Sequence, residues 1–168
     1  MTDKAKETEN SILDVGETAP GFKALLCDGE VFEAQTLDEI AGERGTVLLF
    51  FGFVFSAPAL NWWRRYEGHG WHELDGVHTV GVGRDGPYAQ NEFLRHLDSP
   101  FEILADVDGE IARDFGVLRE RDGMPDASTA RRSVFVLDTD GEVRFGWSAD
   151  DDITPMPVEK IEDAVADL

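Results

Sequence analysis

Residues 47–53 read VLLFFGF, seven consecutive positions with no charge and no alternation of polar with apolar side chains. A continuous apolar run of strand length suits the centre of a sheet that is covered on both faces. Such a strand needs helices above and below it, so the run points to an α/β architecture.

The flanking segments extend the pattern. Pro58 fits the first turn of a following helix, where a missing N–H costs nothing, and Ala59, Trp62, Trp63 and Tyr66 fall at i, i+3, i+4 and i+7, a stripe facing the core. VHTVGVG (77–83) reads as the next strand and PYAQNEFLRHL (87–97) as the next helix, with Tyr88, Phe93, Leu94 and Leu97 on its apolar side. A short strand at 101–104, a short helix at 109–115, a short insertion, two strands joined around Asp140-Gly141 and an amphipathic helix at 158–168 complete the series. Upstream, 23–27 and 31–32 form an N-terminal hairpin around Asp28-Gly29, followed by a helical turn at 37–41. The expected fold is therefore a mixed β-sheet flanked by helices, with an N-terminal β-hairpin extension. Residues 1–14 read as a flexible acidic tail and 15–168 as one domain. At 168 residues such a chain can bury roughly 70% of its unfolded surface.

Charge narrows the partners. With 35 Asp and Glu against 15 Lys and Arg, the formal charge is −20, and a phosphate backbone would be repelled, so nucleic acid is not an expected partner. The acids are spread along the chain, as on the hydrated surfaces of halophile proteins. No apolar stretch is long enough to span a bilayer, and MTDKAKETEN has no apolar leader segment, so the expected location is cytoplasmic, away from membranes. Cys27 is the single cysteine, which excludes an internal disulfide, a Cys-x-x-Cys pair and a thiolate-rich zinc site.

Several constellations have plainer readings. GVGRDG (81–86) matches the Gly-x-Gly-x-x-Gly of dinucleotide sites, with Asp106 some twenty residues on, yet it lies at a second strand and Arg84-Asp85-Gly86-Pro87 is already a good turn and helix start. His69 and His72 beside Glu73 have metal-ligand spacing, but Gly68 and Gly70 break the helix that would align them; they read as solvated side chains at a helix end. Neither a metal nor a cofactor is expected. Cys27 reads as a small buried residue, because its sequence neighbours supply nothing to lower its pKa. Ser56 is suited to capping the helix or hydrogen-bonding a ligand.

Beyond these patterns, VGETAPGF (15–22), the strand running into the turn at 52, Val-Gly-Val after the first long helix, Phe-Gly-Val at 115–117 and Arg-Ser-Val-Phe-Val-Leu-Asp at 132–138 together resemble the peroxiredoxins of the alkyl hydroperoxide reductase C and thiol-specific antioxidant (AhpC/TSA) group. The resemblance implies a thioredoxin-like fold, a thiol-dependent peroxide reductase as the family activity, and a possible homodimer. In that family the active turn reads Pro-x-x-x-Thr/Ser-x-x-Cys: the thiolate attacks the peroxide O–O bond, while the hydroxyl and an arginine orient it. Laid on this chain, Ser56 matches the hydroxyl and Arg132 the arginine, but Gly52 stands at the proline and Ala59 at the peroxidatic cysteine. A methyl group has no lone pair with which to attack oxygen, so the resemblance implies a pseudoenzyme. Departures at Gly52, Trp62 and Trp63 as well suit a natural loss of the thiol. Three readings follow: a pocket at Ser56 and Arg132 holding a small peroxide or anion, an interaction module presenting Trp62 and Trp63, and a weak antioxidant using Cys27 as a sacrificial thiol.

Overall fold

The computed structural model describes residues 11–168; most of the acidic tail expected at 1–14 lies outside them. Residues 12 and 13 are docked, Leu13 N–H donating to Phe115 O at 3.2 Å and both side chains packing on the core.

Among the described residues the elements run in the order β1 (Lys23–Cys27), β2 (Phe32–Thr36), α1 (Leu37–Ile40), β3 (Gly45–Phe50), α2 (Ala57–Gly68), a 3-10 turn (Trp71–Glu73), β4 (Val77–Gly83), α3 (Pro87–Leu97), β5 (Glu102–Ala105), α4 (Glu110–Asp114), β6 (Leu118–Glu120), β7 (Ser128–Ala130), β8 (Ser133–Leu137), β9 (Val143–Ser148) and α5 (Val158–Ala166). Seven strands form one sheet in the order β2-β1-β5-β4-β3-β8-β9. β3, β4 and β5 run parallel, β8 pairs antiparallel with β3 and β9 antiparallel with β8, and the β1–β2 hairpin extends the sheet beyond β5. This is the mixed, helix-flanked sheet anticipated above.

The apolar run does what its composition requires. All six residues of β3 are buried, and alternation divides them: Val47 and Leu49 join the layer of α2, α3 and α5, while Leu48 and Phe50 join that of α1 and α4. On the α2 side Trp63 is completely buried, with its ring 5.1 Å from Phe51, 5.9 Å from Phe93 and 5.6 Å from Phe101. Each such pair adds about 0.5–1.5 kcal/mol beyond the area it buries.

Four expectations need correction. The central strand stops at Phe50, not at 53, because the backbone turns out of the sheet at Gly52. β2 continues to Thr36, whose side chain then caps α1. Tyr88 is 77% exposed and packs edge-on against Phe32 instead of the core. The insertion contains a separate two-stranded sheet, β6–β7.

Candidate functional site

Helix α2 starts just past the carboxyl end of β3. Phe51 N–H still donates to Val82 O at 3.2 Å; the chain then turns through 52–56, with Phe55 in the left-handed region at φ +62°. Two contacts hold this turn. Val54 N–H donates to Asp85 Oδ2 at 2.9 Å, and the Phe55 ring lies edge-on to Phe93 and His96. Burial raises the Asp85 carboxyl above its ordinary pKa, and the bond from Val54 opposes that shift.

Ser56 is the N-cap of α2. Its Oγ accepts from Ala59 N–H at 3.3 Å and donates to Phe53 O at 2.7 Å, so its one proton is already engaged. Toward a ligand Ser56 offers a lone pair and no donor. Ala59, in the first turn of the helix, is 4% exposed and shares its buried face with Trp62, Trp63 and Tyr66, as the spacing predicts.

Arg132 approaches from the residue before β8, where its carbonyl accepts from Ala149 N–H at 2.9 Å. The pairing of β8 with β9 thus fixes its backbone. The side chain is 94% buried, its guanidinium 4.0 Å from the Trp62 ring and 5.2 Å from that of Trp147. Nη2 donates to Thr154 O and, at 3.5 Å, to Asp151 O, but Nε and Nη1 have no hydrogen-bond partner. Burial pulls the group below its ordinary pKa, against the neighbouring Tyr66, Asp151 and Asp152; a guanidinium nevertheless keeps its charge.

Gly52, Ser56, Ala59, Trp62, Arg119 and Arg132 line one pocket, so the structure brings together the four positions that the family motif selects. Its enclosed volume is about 20 Å³, room for roughly one water molecule. Arg119, Arg121 and Asp152 also line it, and none was singled out by spacing. A signal existed: Arg119, Arg121, Arg131 and Arg132 gather four of the chain's 15 basic residues within one short stretch of an acidic protein.

Cys27 is elsewhere. It lies on β1 with no exposed surface and its Sγ 3.8 Å from Leu25 O. Burial, with the charge of Asp28 second, pushes its thiol up to about 11. His69 stacks on Trp71, while His72, half-buried and not fully solvated as expected, lies against Phe101. Among the described residues no three His, Cys, Asp or Glu side chains are placed to hold a metal ion. The Gly-x-Gly of β4 serves packing: a Cβ on Gly81 would come 2.3 Å from Trp63 Cη2, and one on Gly83 2.4 Å from Phe51 Cζ. Asp106, the acid a dinucleotide site would need, caps α4 by accepting from Ile111 N–H and Ala112 N–H, both at 3.0 Å. Among the described residues no helix is long and apolar enough to cross a membrane.

Comparison with known proteins gives a consistent result. The family model described as AhpC/TSA matches residues 15–145. The chain is 29% identical over 142 residues to a peroxiredoxin of Thermoplasma volcanium, a match covering 78% of this chain and 63% of that longer protein, so the chain spans somewhat less than two thirds of it. It is 27% identical to peroxiredoxin-2 of Pongo abelii, over 77% of this chain and 75% of the relative. Among solved structures, Enterococcus faecalis AhpC superposes with a TM-score of 0.76 at 22% identity, covering 91% of both chains; that likeness is one of fold, the thioredoxin-like fold of peroxiredoxins.

Proposed function

Because the chain belongs to the AhpC/TSA family, whose activity is thiol-dependent peroxide reduction, we propose that it keeps the family's place for a small peroxide or oxyanion and lacks the sulfur that would react with one. The observation that carries this reading is Arg132. A cation 94% buried that lines the pocket beside Ala59 with two of its three nitrogens unpartnered is the arrangement of an oxygen-binding site. Leaving buried charged donors without acceptors is costly, on the order of 1–3 kcal/mol each, and a bound oxygen ligand offsets that cost. The N-terminus of the twelve-residue α2 adds a favourable dipole on the same side.

Two other readings meet physical objections. Trp62 and Trp63 are 6% and 0% exposed, so neither is presented to a protein partner. Cys27 is buried on another strand with its pKa raised, which disfavours the thiolate a sacrificial antioxidant needs.

Hydroperoxide turnover with a dithiol reductant at high salt, measured on wild type, Cys27→Ser and Ala59→Cys, tests the proposal. Wild type and Cys27→Ser should be inactive. Ala59→Cys, which puts a thiol in the first turn of α2 beside Arg132, should gain turnover. Wild-type activity that vanishes in Cys27→Ser would overturn the reading.

A further inference from the structure

Residues 150–154 pass beside the pocket, Thr154 O and Asp151 O accepting from Arg132 Nη2, and the three aspartates there have different partners. Asp150 is 94% exposed and lies 3.8 Å from Arg131. The carboxylate of Asp151 is engaged within the loop, accepting from Ile153 N–H at 3.0 Å and from Thr154 N–H and Oγ1, both at 2.7 Å. Of the three, Asp152 is the one that lines the pocket. Its backbone carbonyl accepts from Trp62 Nε1 at 2.9 Å, which anchors it beside the helix, and its carboxylate oxygen lies 3.9 Å from Arg119 Nη2. That is ion-pair range, beyond a hydrogen bond. Around it, Nε and Nη1 of Arg132 and Nε of Arg119 are buried without acceptors.

A recess of unpartnered guanidinium donors draws small anions from solution. Asp152 lines the same pocket as Arg119 and Arg132, its carboxylate in ion-pair range of Arg119 and its charge acting on Arg132, so it offsets part of the positive charge there. Building on the binding reading above, we infer that Asp152 is a specificity-determining residue of the pocket: its charge weakens the binding of small free anions relative to that of a small neutral oxygen ligand of the hydroperoxide class. An anion entering beside Arg132 meets a like charge. A neutral hydroperoxide meets none, accepts from the free guanidinium N–H groups, and can donate its own O–H to the Asp152 carboxylate or the Ser56 lone pair.

The test is Asp152→Asn against wild type, titrated with sodium formate and, separately, with hydrogen peroxide. Ionic strength is held constant with sodium gluconate, too bulky for the cavity, and binding is read by tryptophan fluorescence and calorimetry. Trp62 and Trp147 flank Arg132 and report on it directly. Asparagine keeps the backbone carbonyl that Trp62 bonds, so the loop stays attached. Formate affinity should rise roughly two- to fivefold in the variant, the change an exposed ion pair carries, while peroxide affinity stays level. Equal formate affinity in the two proteins would overturn the inference and leave the binding reading standing. No response of either protein to either ligand would overturn the binding reading and the inference together.

Discussion

His78 offers the sharpest link between this structure and a measurement. Its Nδ1 lies 2.6 Å from Ile40 O, at the end of α1, and its Nε2 lies 2.7 Å from Glu102 Oε1 on β5. Both partners are acceptors, so both contacts become hydrogen bonds only when each ring nitrogen carries a proton; the neutral ring must leave one of them acceptor against acceptor. The bond to Glu102 is the foremost cause raising the His78 pKa, burial opposes it, and the Ile40 carbonyl raises it further. A histidine whose folded pKa lies above its unfolded value contributes stability fully below the unfolded pKa, near 6.5, and loses it as pH rises through the folded pKa. A charge-assisted bond of this kind is worth about 1.5–3 kcal/mol. With the two side chains 31% and 34% exposed, solvent screening reduces that to about 1–2 kcal/mol. Urea unfolding from pH 5.5 to 9 on wild type and His78→Gln isolates the effect, because the other three histidines are common to both proteins. The wild-type advantage should be largest at the acid end and shrink by about 1–2 kcal/mol toward pH 9. An advantage that stays flat, or grows with pH, would refute the doubly donating imidazolium.

Three shorter expectations follow from the core and the pocket. Gly81→Ala should lower stability by about 1–3 kcal/mol, because the new methyl meets the Trp63 ring at 2.3 Å, and thermal unfolding should show part of that loss restored when Trp63→Leu vacates the space. Native Cys27 should resist a thiol-specific disulfide reagent at pH 8 and react fully in denaturant, given its burial and a pKa of about 11; fast labelling of the native protein would contradict the burial. Asp106→Ala removes the acceptor of two N–H groups at the start of α4 and should cost about 1–3 kcal/mol in a denaturant titration.

What the sequence disclosed, and what it withheld, divides along physical lines. β4, α3 and the buried face of α2 carry long periodic signals, and their extents or faces agree with expectation. Tyr88 departs because it sits in the first turn of α3, where the Phe32 ring on the hairpin supplies a partner outside the core. β6 and β7 are three residues each, LRE and STA, too short and too polar to show a period. With them and the turn between them went Arg119 and Arg121, two of the three arginines that line the pocket. The role of Ser56 was legible as a cap, but the engagement of its proton by Phe53 is a matter of turn geometry that no spacing encodes. Arg132 came from the family resemblance, whereas its two unpartnered nitrogens are a matter of side-chain packing, and Asp152 reaches the same pocket on a loop brought over from beyond β9.

The two glycines of β4 do more than spare a clash. By leaving a hollow in the sheet into which the Trp63 and Phe51 rings reach most deeply, they make the indole an indexing pin for α2: the helix has one angular setting and one height at which the ring drops home. Ser56 and Ala59 ride on that same rigid rod, so the aim of the pocket is set one turn away from it. The residues around the turn, Gly52 and Ala59 among them, are thus free to change identity without moving the place where a ligand would sit.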